Sequence, residues 1–187
     1  MAIYIALLRG INVGGKNIIK MADLKLAFEA MGLTQVQTYI QSGNVLFHSN
    51  EEEEPLRKHI EHELEITFNF KVTVILRTSA ELERMIMNCP FSEKAISEAN
   101  LSLKSESLYV SLLLHAPLQK GIDRFSTYQS ESDEYRIEGR EVYLLFHDSI
   151  RNSKLANNLQ KLDVPATVRN WKTINKLAVL AKAMRVE

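Results

Sequence analysis

Two short apolar segments, Ile3 to Leu8 and Leu108 to Leu114, set the limits on what this chain can fold into. Each is too short for a buried helix, so both read as strands buried on their two faces. The elements that follow them run in the same order. After the first segment, Leu24, Ala27, Phe28 and Met31 recur at helical spacing up to Gly32. Val36 to Ile40 and Val45 to Phe47 then flank Gln41, Ser42, Gly43 and Asn44, residues suited to a hairpin turn. A second helix turns Leu56, Ile60 and Leu64 inward, with Ser49 or Asn50 as its cap and Glu51 to Glu54 in its first turn, and a strand follows at Val72 to Leu76. Thr78 and Glu81 form a capping box opening a helix that stops before Pro90.

After the second segment, Leu118, Ile122 and Phe125 define a helix, and Tyr135 to Ile137 with Val142 to Phe146 make a hairpin around Gly139. Asn152 to Leu162 reads as a helix and Ala166 to Arg169 as a short strand. Asn170 caps a last helix that turns Trp171, Ile174, Leu177, Ala178 and Ala181 inward. The order βαββαβ closed by an extra helix therefore occurs twice, which is the split βαβ arrangement of ferredoxin-like sheets. The expected fold is α+β, a tandem duplication of a ferredoxin-like unit: residues 1–90 form the first half and residues 107–187 the second, with the C-terminal helix. Residues 91–106, rich in Ser, Glu and Lys without a clear period, read as a linker or surface excursion. The repetition is one of element order, and no residue-level repeat is legible.

Composition narrows the function classes. With 187 residues, 45% of them hydrophobic, the chain buries a proper core. Its 23 basic and 23 acidic side chains cancel, which argues against a nucleic-acid coat. Charge is nevertheless uneven: Arg140 to Glu187 holds nine Lys/Arg against four Asp/Glu, whereas Glu51 to Glu65 holds seven acids against two bases. A single cysteine, Cys89, makes no internal disulfide, the apolar run at the start is too short for a signal peptide, and no stretch is long enough to span a membrane. The expectation is a cytoplasmic protein. Scattered histidines, His59 and His62 on one helix among them, do not make a metal site.

Two stretches carry possible chemistry. Gly10, four residues, Gly15 and Lys16 fit the phosphate-loop pattern until Asn17 stands where a magnesium-binding hydroxyl belongs. A phosphate-loop fold also follows its first helix with a parallel strand, and here a hairpin follows. What survives is an anion site in which Gly14 and Gly15 expose backbone N–H groups, Arg9 and Lys16 supply charge, and Asn12 either meets the ligand or ties the loop to itself. At Arg169, Asn170, Trp171 and Thr173 a strand runs into a helix start, gathering a guanidinium, free N–H groups and an indole that would serve either as a stacking surface or as core.

RGINVGGKN at Arg9 to Asn17, YIQSGNVLF at Tyr39 to Phe47 and TVRNWKTINKL at Thr167 to Leu177 together resemble the bacterial family catalogued as domain of unknown function 1697. The resemblance runs the length of the chain and implies a small cytoplasmic bacterial α+β protein with ferredoxin-like halves. It brings no catalytic residues or cofactor with it. The family pattern places a proline before the first helix, where this chain has Lys20.

The functional expectation is a binding protein or enzyme for an anionic small molecule, a nucleotide or phosphorylated metabolite. Arg9, Asn12, Gly14, Gly15, Lys16, Asn17, Arg169, Asn170, Trp171 and Thr173 would hold it, with Gln41, Ser42 and Asn44 supplying neutral hydrogen bonds. A protein-interaction or self-assembly module is the alternative, and RNA binding a third reading.

Overall fold

The computed structural model describes residues 1–185. The chain divides into two compact units, one made of Met1–Arg84 and the segment from Asn175 onward, the other of Met85–Ile174. In chain order the elements are β1 (Ala2–Leu8), α1 (Met21–Ala30), β2 (Thr34–Tyr39), β3 (Asn44–Ser49), α2 (Glu53–Phe68), β4 (Val74–Thr78), α3 (Ser79–Met87) and α4 (Glu93–Leu103). They continue with β5 (Leu108–Leu113), α5 (Gln119–Ser126), β6 (Asp133–Glu138), β7 (Glu141–Phe146), α6 (Lys154–Asn157), β8 (Ala166–Asn170) and α7 (Trp171–Ala183). The architecture is α+β. Each unit holds a four-stranded sheet, ordered β2-β3-β1-β4 in one and β6-β7-β5-β8 in the other, with every pairing antiparallel.

β1 and β5 are inner strands, as are β3 and β7, and the side chains of β1 and β5 are buried on both faces along most of their length, which is why they read as unbroken apolar runs. In the first unit Tyr4, Ala6 and Leu8 of β1 meet Val45 and Phe47, Val74 and Leu76, and the inward stripes of α1 (Leu24, Ala27, Phe28) and α2 (Leu56, Ile60, Leu64). In the second, Leu113, Val142, Leu144 and Phe146 pack with Phe125, Leu155 and Leu162.

A residue-level correspondence appears once the strands are in register. Tyr4 of β1 lies opposite Thr78, the last residue of β4, and Ile5 opposite Arg77. Tyr109 of β5 lies opposite Asn170, the last residue of β8, and Val110 opposite Arg169. Both strands hand directly into a helix capped as its sequence implies. The Glu81 amide donates to Thr78 Oγ1 at 3.3 Å while the Thr78 amide donates to Glu81 Oε2 at 2.8 Å, and the Thr173 amide donates to Asn170 Oδ1 at 2.8 Å.

Three local expectations are corrected. Neither Ser49 nor Asn50 caps α2: Ser49 Oγ accepts the Glu51 amide at 3.1 Å, and the helix starts beyond it with no side-chain cap. The stretch read as a linker contains α4, capped by Ser92 and closed by a left-handed Lys104. Only Ala99 is fully buried on it, so its apolar stripe is too thin to show a period. The helix expected over Asn152 to Leu162 is broken into a 3-10 turn at Ile150–Asn152, the single turn α6, and another 3-10 turn at Leu159–Leu162. Polar side chains compete with its backbone ladder. Asn157 Nδ2 donates to the Arg151 carbonyl, Asn158 Nδ2 to the Lys154 carbonyl, and Ser153 Oγ to buried Asp133 Oδ2 at 2.7 Å.

Gly121 on α5 shows how closely these turns approach. A Cβ there would sit 2.7 Å from the Leu162 carbonyl oxygen. Gly121→Ala should therefore destabilise the protein by about 1–3 kcal/mol, the usual cost of overpacking, although alanine would favour the helix by about 1 kcal/mol. Urea unfolding of the two proteins measures the sign directly.

Candidate functional site

β1 ends at Leu8, whose amide donates to the Gly43 carbonyl at 2.8 Å, and the Arg9 amide donates to the Thr73 carbonyl at 2.9 Å. The chain thus leaves the sheet with both neighbours still fixing its backbone. The next residues form a small hairpin. Val13 and Lys16 make an antiparallel bridge, the Lys16 amide donates to the Val13 carbonyl, and Gly14 and Gly15 at the tip have φ of +59° and +72°, as a two-residue hairpin turn requires. α1 begins only at Met21, so Lys16 does not stand at a helix N-terminus, and both neighbours of β1 are antiparallel. Neither structural condition for a phosphate loop is present.

Asn12 settles which of its two expected roles it takes. With φ of +55°, it donates through Nδ2 to the carbonyls of Ile19 (3.0 Å) and Gln41 (2.9 Å) and accepts the Ile19 amide on Oδ1 at 2.9 Å. It ties the loop to itself and to the β2–β3 turn. Asn17, at φ +51°, donates through Nδ2 to the Gly10 carbonyl at 3.2 Å, so the residue that breaks the phosphate-loop pattern closes the base of the hairpin. Asn44 is buried and donates to the Tyr39 carbonyl and to Ser42 Oγ. These three amides position backbone.

The two loops are also packed together. Gly43 has φ of +79°, and a Cβ on it would lie 2.7 Å from Ile11 Cδ1 and 2.9 Å from Leu8 Cβ. Beside it Ile40 has φ of +49°, a conformation a β-branched residue adopts only under constraint. Sequence reasoning missed Ile40 and Ile11, because nothing in composition or spacing marks a strained isoleucine.

What this scaffold presents outward is cationic. Arg9, Gly14, Gly15, Lys16, Gln41 and Ser42 are exposed. Among the described residues, Arg9 and Lys16 form no ion pair, and the Gly14 and Gly15 N–H groups have no protein acceptor. No Asp or Glu occurs in residues 9–21 or 33–50.

The second motif is largely interior. Arg169 is 7% exposed and donates from Nη1 to Thr167 Oγ1 at 2.7 Å and to the Val168 carbonyl at 2.9 Å; burial pushes its guanidinium down to about 10. Asn170 is committed to capping α7, Thr173 is buried, and the half-buried Trp171 ring stands 6.3 Å from Tyr143. Among the described residues no cluster of three or more metal-ligating side chains occurs, and no helix is long and apolar enough to cross a membrane.

With this geometry in place, comparison with known proteins defines the class. The sequence pattern described as "Protein of unknown function (DUF1697)" matches residues 1–143, and the chain belongs to that family. A solved structure, that of the conserved bacterial protein SP0830 from Streptococcus pneumoniae, is similar to it with a TM-score of 0.74 and 25% identity, covering 97% of this chain and 99% of that one. No curated protein matches the chain.

Gly43 and Gly15 separate packing from conformation. Both have left-handed φ, but a Cβ on Gly15 would meet nothing within 4 Å. Gly15→Ala should cost about 1 kcal/mol of conformational strain, and Gly43→Ala about 2–4 kcal/mol because a clash with Leu8 and Ile11 is added. Denaturant midpoints of the two variants check the difference.

Proposed function

We propose that this protein binds an anionic small ligand, a nucleotide or phosphorylated metabolite, at the Arg9–Asn17 hairpin. One observation carries the reading: two exposed cations without ion pairs and two glycine N–H groups without acceptors stand on a tightly braced loop in a stretch free of carboxylates. Such a surface meets a phosphate with charge-assisted hydrogen bonds and little reorganisation. Asn12, Asn17 and Asn44 support it from behind, and Gln41 and Ser42 offer neutral contacts at its edge.

We read each half of the chain as a ferredoxin-like unit, residues 1–90 and 107–187, in a cytoplasmic bacterial protein. The matching strand orders and the register shared by Tyr4 with Tyr109 and Arg77 with Arg169 support the duplication. A protein-interaction surface is the second reading, favoured by Val13, Ile18 and Ile40, which are 67%, 61% and 47% exposed on these same loops. A solution mass above the 21.4 kDa monomer that Ile18→Asp returns to monomer would select it.

Calorimetric titration with inorganic phosphate, nucleotides and short RNA tests the leading reading. Arg9→Ala and Lys16→Ala should each weaken the phosphate-bearing ligand at least tenfold, the loss expected for about 1.5 kcal/mol of charged hydrogen bonding, with the thermal midpoint unchanged. No binding, or equal binding by both variants, contradicts it.

A further inference from the structure

The second unit contains a cavity of about 260 Å³ lined by the end of α4, the start of β5, the end of β7 and the turn that follows it. Leu103, Tyr109 and Ile150 give it an apolar lining, the Tyr109 ring backed edge-to-face at 5.7 Å by the fully buried Phe146, and Ser105, Glu106, Ser149 and Arg151 complete the wall. The wall is braced on both sides. Asn100 Oδ1 accepts both the amide and the hydroxyl of Ser107, at 2.8 and 2.7 Å, and the Phe146 amide donates to the Ser107 carbonyl. Asn157 holds the Arg151 carbonyl, and Ser153 is anchored on buried Asp133.

The two corresponding tyrosines differ at this point. Tyr4 in the first unit donates its hydroxyl to the Glu51 carbonyl at 3.0 Å. Tyr109 at the matching register position has no protein partner for its hydroxyl among the described residues, and it borders the cavity instead. Glu106 and Arg151 likewise form no ion pair among the described residues, with each other or with anything else. Two opposite charges, a phenol and two serines thus surround a small space with an apolar lining of Leu103, Tyr109 and Ile150. Glu106 is half-buried and Arg151 exposed, so a ligand with one charge would leave one of them unpaired at the rim, whereas a molecule with both charges pairs with the two together. The volume lies below the range of drug-sized pockets and suits one small molecule.

We infer that this cavity binds a free α-amino acid with an apolar side chain, its ammonium at Glu106, its carboxylate at Arg151 and its side chain on Leu103, Tyr109 and Ile150. The site is independent of the Arg9–Asn17 hairpin.

The test is calorimetric titration of the full chain with phenylalanine and leucine, with amide chemical shifts followed by NMR. At least one of the two binds saturably, and the shift changes concentrate at Ser105, Glu106, Ser149 and Arg151. N-acetylphenylalanine, phenylalanine amide, Glu106→Gln and Arg151→Ala each weaken binding at least tenfold. Saturable binding of neither amino acid, binding indifferent to loss of either ligand charge, or shifts that fall elsewhere overturns the inference without depending on how the variants fold.

Discussion

The structure depends first on the placement of β1 and β5 between two antiparallel neighbours. An inner strand has both backbone edges hydrogen-bonded, and here its side chains are buried on both faces as well, so its interior offers nothing to a ligand. Chemistry is confined to the ends of these strands, beyond Leu8 in β1 and at the half-buried Tyr109 near the start of β5. Burying one Leu or Ile side chain contributes about 1.5–3 kcal/mol, against about 1 kcal/mol for a loop hydrogen bond. Seven residues of β1 therefore fix where Arg9 emerges far more firmly than the loop fixes itself.

From that anchored point the loop needs only a few contacts to be defined. Asn12 joins three backbone groups, Asn17 closes the hairpin base, and Ile11 lies against Gly43 where no side chain fits. The glycine spacing that suggests a phosphate loop serves another geometry, a two-residue turn on a short hairpin, because no helix follows the lysine. Similar residues in a different strand topology yield a projecting tip where a phosphate loop would wrap its ligand.

Much of this was legible in the sequence. The strand and helix order, the α1 and α2 stripes, and the caps at Thr78 and Asn170 follow from period and local hydrogen-bonding chemistry, which act within a few residues. The losses have physical causes of longer range. α4 buries too little to show a period, and the Asn152–Leu162 helix is undone by Ser153 reaching Asp133, twenty residues away in sequence. The burial of Arg169 is set by strand pairing rather than by its neighbours in the chain. Of the candidate residues, the sequence indicated Arg9, Lys16 and the glycines as a surface, but it left Asn12 open between ligand contact and loop tie. Glu106, Tyr109 and Arg151 carried no signal, since their shared cavity exists only in three dimensions.

The central claim is that the Arg9–Asn17 tip is a rigid platform, held by Asn12 before any ligand arrives. Backbone ¹⁵N relaxation of the free protein tests it most directly. Order parameters of about 0.85 at Gly14, Gly15 and Lys16, like those of an ordered strand, falling in Asn12→Ala, are what the account predicts. Values below about 0.6 in the unaltered protein would contradict it, because a tip moving on that scale holds no fixed arrangement of amides and cations.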